Sequence, residues 1–236
     1  MNNLELCSSG VIERRLMRME RDQRLVEASY FVGWDLGQSE DPGAVTVVER
    51  AVFAGERDPA TWQRRLTTRL ALRHVERMPL RMPYPAMVEM VGAVVKHEEL
   101  KGRCQLAMDA TGVGRPVVDM VRAERWDCGL LPVTITAGET ENSSGGYWRV
   151  PKRDLIVGLQ VIIQRGELHI ASGLKDGEAL VKEMSEMRVN VRESGHEQFG
   201  VWGQGRHDDL VLSLSLAVWA ARRAGLTCGE RAEVLW

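Results

Sequence analysis

Cysteine is scarce in this chain, and what there is lies scattered. The 236 residues include four, Cys7, Cys104, Cys128 and Cys228, with no CxxC pair and no histidine at zinc-ligand spacing. A disulfide scaffold and a zinc module are thereby disfavoured, and reduced thiols in a cytoplasmic protein of the cell or its host are expected. Long apolar runs are missing too: none reaches the roughly 18 residues that span a bilayer. The start, MNNLELCSSGVIERRLMRMERDQ, is too charged for a signal peptide. There is no excess of positive charge, since 31 Lys and Arg face 33 Asp and Glu for a net charge of −2. A global nucleic-acid-binding signature is therefore absent, although a local basic face fits a neutral chain. The cations are mostly arginine, which suits bidentate phosphate contacts. Two phosphate-cradling fingerprints are absent as well. GxxxxGK[ST] does not occur, and Gly112 and Gly114 lack the GxGxxG spacing. No internal repeat or low-complexity tract stands out.

What remains is ordinary for a globular protein, with 44% hydrophobic and 27% charged residues. The length suits one domain, or one domain with an arm. Residues 11–28 read as a charged helix with Ile12, Leu16, Met19 and Leu25 or Val26 on one side, forming an arm or linker over 1–29. YFVGWDLG (30–37) and AVTVVER (44–50) outline a β-hairpin across the turn residues QSEDPG. A third strand is expected in 67–77, with its arginines facing solvent. Helices follow at 86–100 and 115–126, around a short buried strand at 104–112. Another strand covers 130–136. The segment GETENSSGG (138–146) has the composition of a mobile loop. Next come a helix over 151–166, a short strand ELHI, a helix over 176–188 and an irregular or hairpin stretch over 189–204. A long apolar helix opens at GRHDDLVLSLSLAVW (205–219), and 226–236 is a tail. Early hairpins and later strand–helix–strand units together predict an α/β fold with a mixed sheet: three antiparallel strands, then parallel ones, flanked by helices.

Acidic residues sit at unusual places in that order. Asp35 ends the first apolar strand, where Asp is rare, and a buried carboxylate costs several kcal/mol unless it is paired or metal-bound. Asp109 closes the apolar strand CQLAM, at the strand end where α/β folds gather ligands. Asp208 and Asp209 open the most apolar helix. Each has a purely structural reading: a strand-end hydrogen bond for Asp35, an Asx turn for Asp109, a helix N-cap for one of the last pair. Should they converge, repulsion would raise their pKa values unless cations neutralised them. Oxygen-only ligands favour Mg²⁺ or Mn²⁺. Two such ions ~3.5–4 Å apart suit phosphodiester hydrolysis.

In these contexts the chain resembles a known family. GWDLG, LAMDATGVGRPVVDMV, VPKRDLIVGLQVIIQRGELHI and GRHDDLVLSLSLAVW are similar, in order, to segments of the nuclease domain of tailed-phage large terminases. The resemblance spans roughly residues 30–222. It implies a ribonuclease H-like fold over 30–225 and a metal-dependent endonuclease that cuts concatemeric double-stranded DNA during genome packaging. It implies two Mg²⁺ or Mn²⁺ ions, with Asp35 and Asp109 as the first two ligands and the HDD run as the third. Within that run Asp209 is favoured as a direct ligand, with Asp208 a ligand or its support. His207 would orient a carboxylate or water, or be only a polar residue before the helix. Lys152 matches a family lysine that meets DNA phosphate or the acidic cluster, the alternative being a solvated surface lysine. Arg115, Arg149, Arg153 and Arg206 are candidate phosphate contacts, and 138–147 resembles the mobile hairpin region beside the family's site.

One departure stands out. Complete large terminases carry an ATPase motor ahead of the nuclease, whereas about thirty residues precede the first strand here. The expectation is a separately encoded or dissected nuclease working with a packaging ATPase, a small terminase and a portal. Alternative readings are a resolvase- or transposase-like nuclease of the same fold, a non-catalytic packaging adaptor, and an actin- or sugar-kinase-like phosphotransferase. The last needs two half-domains, for which the chain is short and unrepeated.

Overall fold

The computed structural model describes residues 24–37, 41–191, 197–200 and 207–227. Strands β1 (Arg24–Asp35), β2 (Ala44–Arg57) and β3 (Arg64–Arg77) form an antiparallel meander. Helix α1 (Tyr84–Val95) leads to β4 (Cys104–Asp109), helix α2 (Gly114–Glu124) to β5 (Gly129–Thr136), and β6 (Asn142–Ser144) to β7 (Tyr147–Pro151). Helix α3 (Lys152–Gln164), β8 (Leu168–Ile170) and helix α4 (Gly177–Glu186) follow. A separate hairpin of β9 (Arg188–Val191) and β10 (Glu197–Gly200) precedes helix α5 (Asp209–Thr227). The main sheet has eight strands in the order β6-β7-β5-β4-β1-β2-β3-β8. Strands β4, β5 and β7 continue from β1 in parallel, and β6 folds back antiparallel on β7. The expected mixed α/β architecture is the one observed.

Both faces of the sheet are covered, and strand alternation decides what faces where. Phe31 joins a core with Leu155, Leu159 and Leu180 of α3 and α4 and with the apolar residues of α5. Its neighbours Tyr30, Val32 and Trp34 turn the other way, to Val88 and Val91 of α1 and Val117 and Val121 of α2. Helix α5 is buried on every side from Asp209 to Ala221, as a helix apolar all round must be. It lies directly on β1: a Cβ on Gly33 would sit 1.9 Å from the Ser213 carbonyl oxygen. Ser213 Oγ donates to the Gly33 carbonyl at 3.1 Å and lies 3.0 Å from Thr46 Oγ1. A glycine and two hydroxyls thus bolt the helix to β1 and β2, with both of these buried hydroxyls hydrogen-bonded. Among the described residues no helix is long and apolar enough to cross a membrane.

Four local expectations need correction. Residues 24–28, expected to end a helix, belong to β1, where they pair with Ala51–Ala54 of β2; a long β partner overrides weak helical periodicity. Residues 1–23 of the expected arm lie outside the described residues. The segment expected as a loop carries the β6–β7 hairpin, whose two-residue turn is Gly145–Gly146 with φ of 60° and 78°. Both turn residues need positive φ, which glycine supplies without strain. Pro151 ends β7 and caps α3 instead of lying inside the helix. Finally, Arg73 of β3 is buried and paired with Glu49 and Glu99, not solvated.

Candidate metal centre

The sheet register brings the acids together. Strands β1 and β4 are parallel neighbours with Trp34 opposite Met108, so Asp35 and Asp109 end side by side. Strand β2 starts at Ala44 opposite Asp35, and β3 ends at Arg77 opposite Ala44. Strand β7 ends at the same edge, delivering Lys152 at the start of α3. The bolt at Gly33 brings the first turn of α5, with Asp208 and Asp209, over this edge. Backbone geometry therefore collects Asp35, Asp109, Lys152, Asp208 and Asp209 from four segments far apart in sequence.

Their electrostatics show how close they are. Burial pushes the Asp35 carboxyl well above its usual range, and the charges of Asp109, Asp209 and Asp208 push it further, with Lys152 pulling it back. Asp109 is raised by burial, partly offset by Thr111 hydrogen bonds and Lys152. Asp209 is raised to about 6, chiefly by burial; His207 and Arg77 oppose this, while Asp208 and Asp41 add to it. Ionised together, these groups form a concentration of negative charge that one lysine does not neutralise.

Each candidate residue has a definite place. Asp109 Oδ1 accepts from Thr111 N at 2.8 Å and from Thr111 Oγ1, so the Asx turn is real, and one oxygen remains for a further partner. Thr111 Oγ1 also accepts from Ile135 N at 2.9 Å, tying the ends of β4 and β5 together. Lys152 meets the acidic cluster, with Nζ 2.7 Å from Asp208 Oδ2. Asp208 also caps α5 through its carbonyl, which accepts from Leu212 N at 2.8 Å. His207 Nδ1 lies 3.3 Å from Asp41 Oδ1. Arg115 and Arg149 are exposed, with the Arg115 guanidinium 5.5 Å from the centre of the Tyr147 ring. Arg153 is exposed beside Lys152, and Arg206 lies outside the described residues.

Three residues escape a sequence reading. Asp41, in the QSEDPG turn, offers a ligand atom within 4.8 Å of others from His207 and Asp209, a set able to hold a cation. Glu183 of α4 is buried against the start of α5, and Arg77 at the end of β3 reaches both Glu183 and Asp209. A carboxylate on the apolar side of the Leu180 helix was the one available signal for Glu183.

No family model matches the chain, and no curated protein is significantly similar. Solved structures are. The large terminase nuclease from thermophilic phage G20c is 21% identical, covering 83% of this chain and 87% of its own, with a TM-score of 0.54. The same nuclease with bound magnesium gives 23% identity, 84% of each chain and a TM-score of 0.55. A mutant nuclease domain of the large terminase subunit of bacterial virus Sf6, with manganese and beta-thujaplicinol, gives 12% identity, 80% and 87% coverage, and 0.55. Over most of its length, this chain has the ribonuclease H-like fold of these phage large terminase nuclease domains.

Proposed function

We propose that the chain is a metal-dependent endonuclease that cuts double-stranded DNA, acting as the nuclease of a terminase on concatemeric phage genomes. The observation that carries this reading is Asp35, buried at the carboxyl end of an interior strand among Asp109, Asp208 and Asp209 with Lys152 as its nearby cation. A carboxylate so placed is expensive, and a purely structural role gives no return for it. The donor set is oxygen, which suits Mg²⁺ or Mn²⁺. Asp35, Asp109, Asp209 and Asp208 would hold two such ions, with Asp41 and His207 flanking Asp209. When bound, the ions lower the proton affinity of water and neutralise charge at a scissile phosphate.

The chain's own groups do the rest. Thr111 holds one Asp109 oxygen and leaves the other for a ligand. Lys152 balances Asp208 and stands where a phosphate would approach. Arg115, Arg149, Arg153 and Arg206 would hold the DNA backbone, which positions a duplex without reading its sequence. Packaging ATPase, small terminase and portal are the expected partners, in the host cytoplasm.

The test is incubation with supercoiled plasmid and Mn²⁺ or Mg²⁺, beside Asp109→Ala. Metal-dependent nicking or linearisation that the variant lacks is expected. Cutting that survives EDTA, or that Asp109→Ala retains in full, would show that the cluster is not the active site.

A further inference from the structure

Arg77 stands between two carboxylates, and two of its three guanidinium nitrogens are treated differently. Its Nη2 is hydrogen-bonded to Glu183 Oε1. Its Nε is 3.6 Å from Asp209 Oδ2, too far for a hydrogen bond. Both atoms of that unclosed contact are buried without a hydrogen-bond partner. A buried guanidinium N–H next to a buried carboxylate oxygen would ordinarily close into a charge-assisted pair. Something holds the arginine back.

The restraint is Glu183. Its side chain is 9% exposed, against 30% for Arg77 and 4% for Asp209. Glu183 Oε2 accepts from Leu210 N at 3.1 Å and Val211 N at 3.3 Å, the free amides in the first turn of α5. These bonds fix the carboxylate, and the carboxylate fixes the guanidinium. The arginine backbone is held as well: Arg77 N donates to Asp176 Oδ2 at 2.8 Å, just ahead of α4. Helix α4 thus grips both the last residue of β3 and the first turn of α5.

We propose that Glu183 is a positioning residue that keeps Arg77 from capturing Asp209, leaving the Asp209 carboxylate open for a divalent cation. The inference rests on the nuclease reading only in taking Asp209 as a metal ligand. Without Glu183 the arginine fork would swing onto Asp209 and compete directly with the cation. With it, the same arginine supports Asp209 from behind.

A double-variant cycle tests this, read by Mn²⁺ binding to the full chain through the electron paramagnetic resonance of free Mn²⁺. Glu183→Gln keeps an oxygen for the Leu210 and Val211 amides but turns an NH₂ toward Arg77. It should weaken Mn²⁺ binding about tenfold, within the range of coupling between contacting residues. Adding Arg77→Met should restore binding to within about threefold of wild type, because the competing fork is gone. A role limited to capping α5 predicts no such rescue. Equal Mn²⁺ affinity in wild type and Glu183→Gln, or no recovery in the double variant, overturns the proposal. Absence of Mn²⁺ binding to the wild type would instead remove the nuclease reading. Should a variant not melt cooperatively, the wild-type structure with Mn²⁺ decides: Arg77 must stay on Glu183, and an Arg77–Asp209 hydrogen bond refutes the inference.

Discussion

Replacing Asp209 by asparagine should make the metal-free protein more stable at neutral pH, although it removes a proposed catalytic group. Burial and the charges of Asp208 and Asp41 lift this carboxyl from 3.8 to about 6, even with His207 and Arg77 opposing. Between those two values the folded chain binds more protons than the unfolded one. The contribution of this group to stability is therefore greatest below about 4, falls as pH rises from there to about 6, and stays reduced above it. The shift corresponds to roughly 3 kcal/mol of disfavoured ionisation. Local relaxation and water penetration should cut the measurable part to ~1–2 kcal/mol. For a domain of this size that is a rise in Tm of roughly 2–8 °C for Asp209→Asn at pH 8 in EDTA. At pH 4 the gain should nearly vanish, since the wild-type carboxyl is then protonated in the folded state. Saturating Mn²⁺ should invert the order, because a cation that binds only the folded wild type stabilises it by mass action. Calorimetry at the two pH values, with and without Mn²⁺, measures all of this. An asparagine variant that melts below wild type at pH 8 in EDTA, or by an equal margin at both pH values, would refute the electrostatic account.

Other expectations follow from the same geometry. Gly33→Ala puts a methyl 1.9 Å from the Ser213 carbonyl, so α5 must move off β1; a stability loss of at least ~1–3 kcal/mol with loss of cutting should show in denaturant melts and plasmid assays. Lys152→Ala removes a half-exposed pair with Asp208; Tm should change little, by at most ~1 kcal/mol of stability, while cutting falls at least about tenfold. Duplex binding should weaken with salt, with a slope of log K against log salt near −3 to −4 if four cations contact phosphate, and Arg149→Ala should reduce that slope by about one. Thr111→Val removes the hydroxyl shared by Asp109 and Ile135; Mn²⁺ affinity should fall severalfold, measured against an unchanged far-ultraviolet spectrum.

The sheet and its acids were legible in the sequence for one reason: a carboxylate at the end of an apolar strand is hard to explain locally. Asp35 and Asp109 announce themselves that way, and Asp208 with Asp209 exceeds what one helix cap requires. Asp41 gives no such signal, since an Asp before Pro–Gly is ordinary turn chemistry and its meeting with His207 is made only by folding. Glu183 is marked only by its place on the apolar side of its helix, and Arg77 looks like a surface charge at a strand end; what they do is set by α5, whose first turn they meet only on folding. The β6–β7 hairpin was hidden by its own turn, because the glycines that permit the tight reversal also give the segment a loop-like composition. At the other end, β1 extends back to Arg24 over residues with helical spacing, where pairing with a 14-residue partner decides the outcome.

The docking of α5 on Gly33 bears on the order in which the acidic cluster is put together. Asp35 belongs to the first strand of the sheet and Asp209 to the last helix, and nothing but that helix brings them together. Ribosomes release the amino-terminal strands first. A nascent chain therefore carries the strands that present Asp35 and Asp109 before it carries the helix that adds Asp209, and the acidic cluster is complete only when α5 seats.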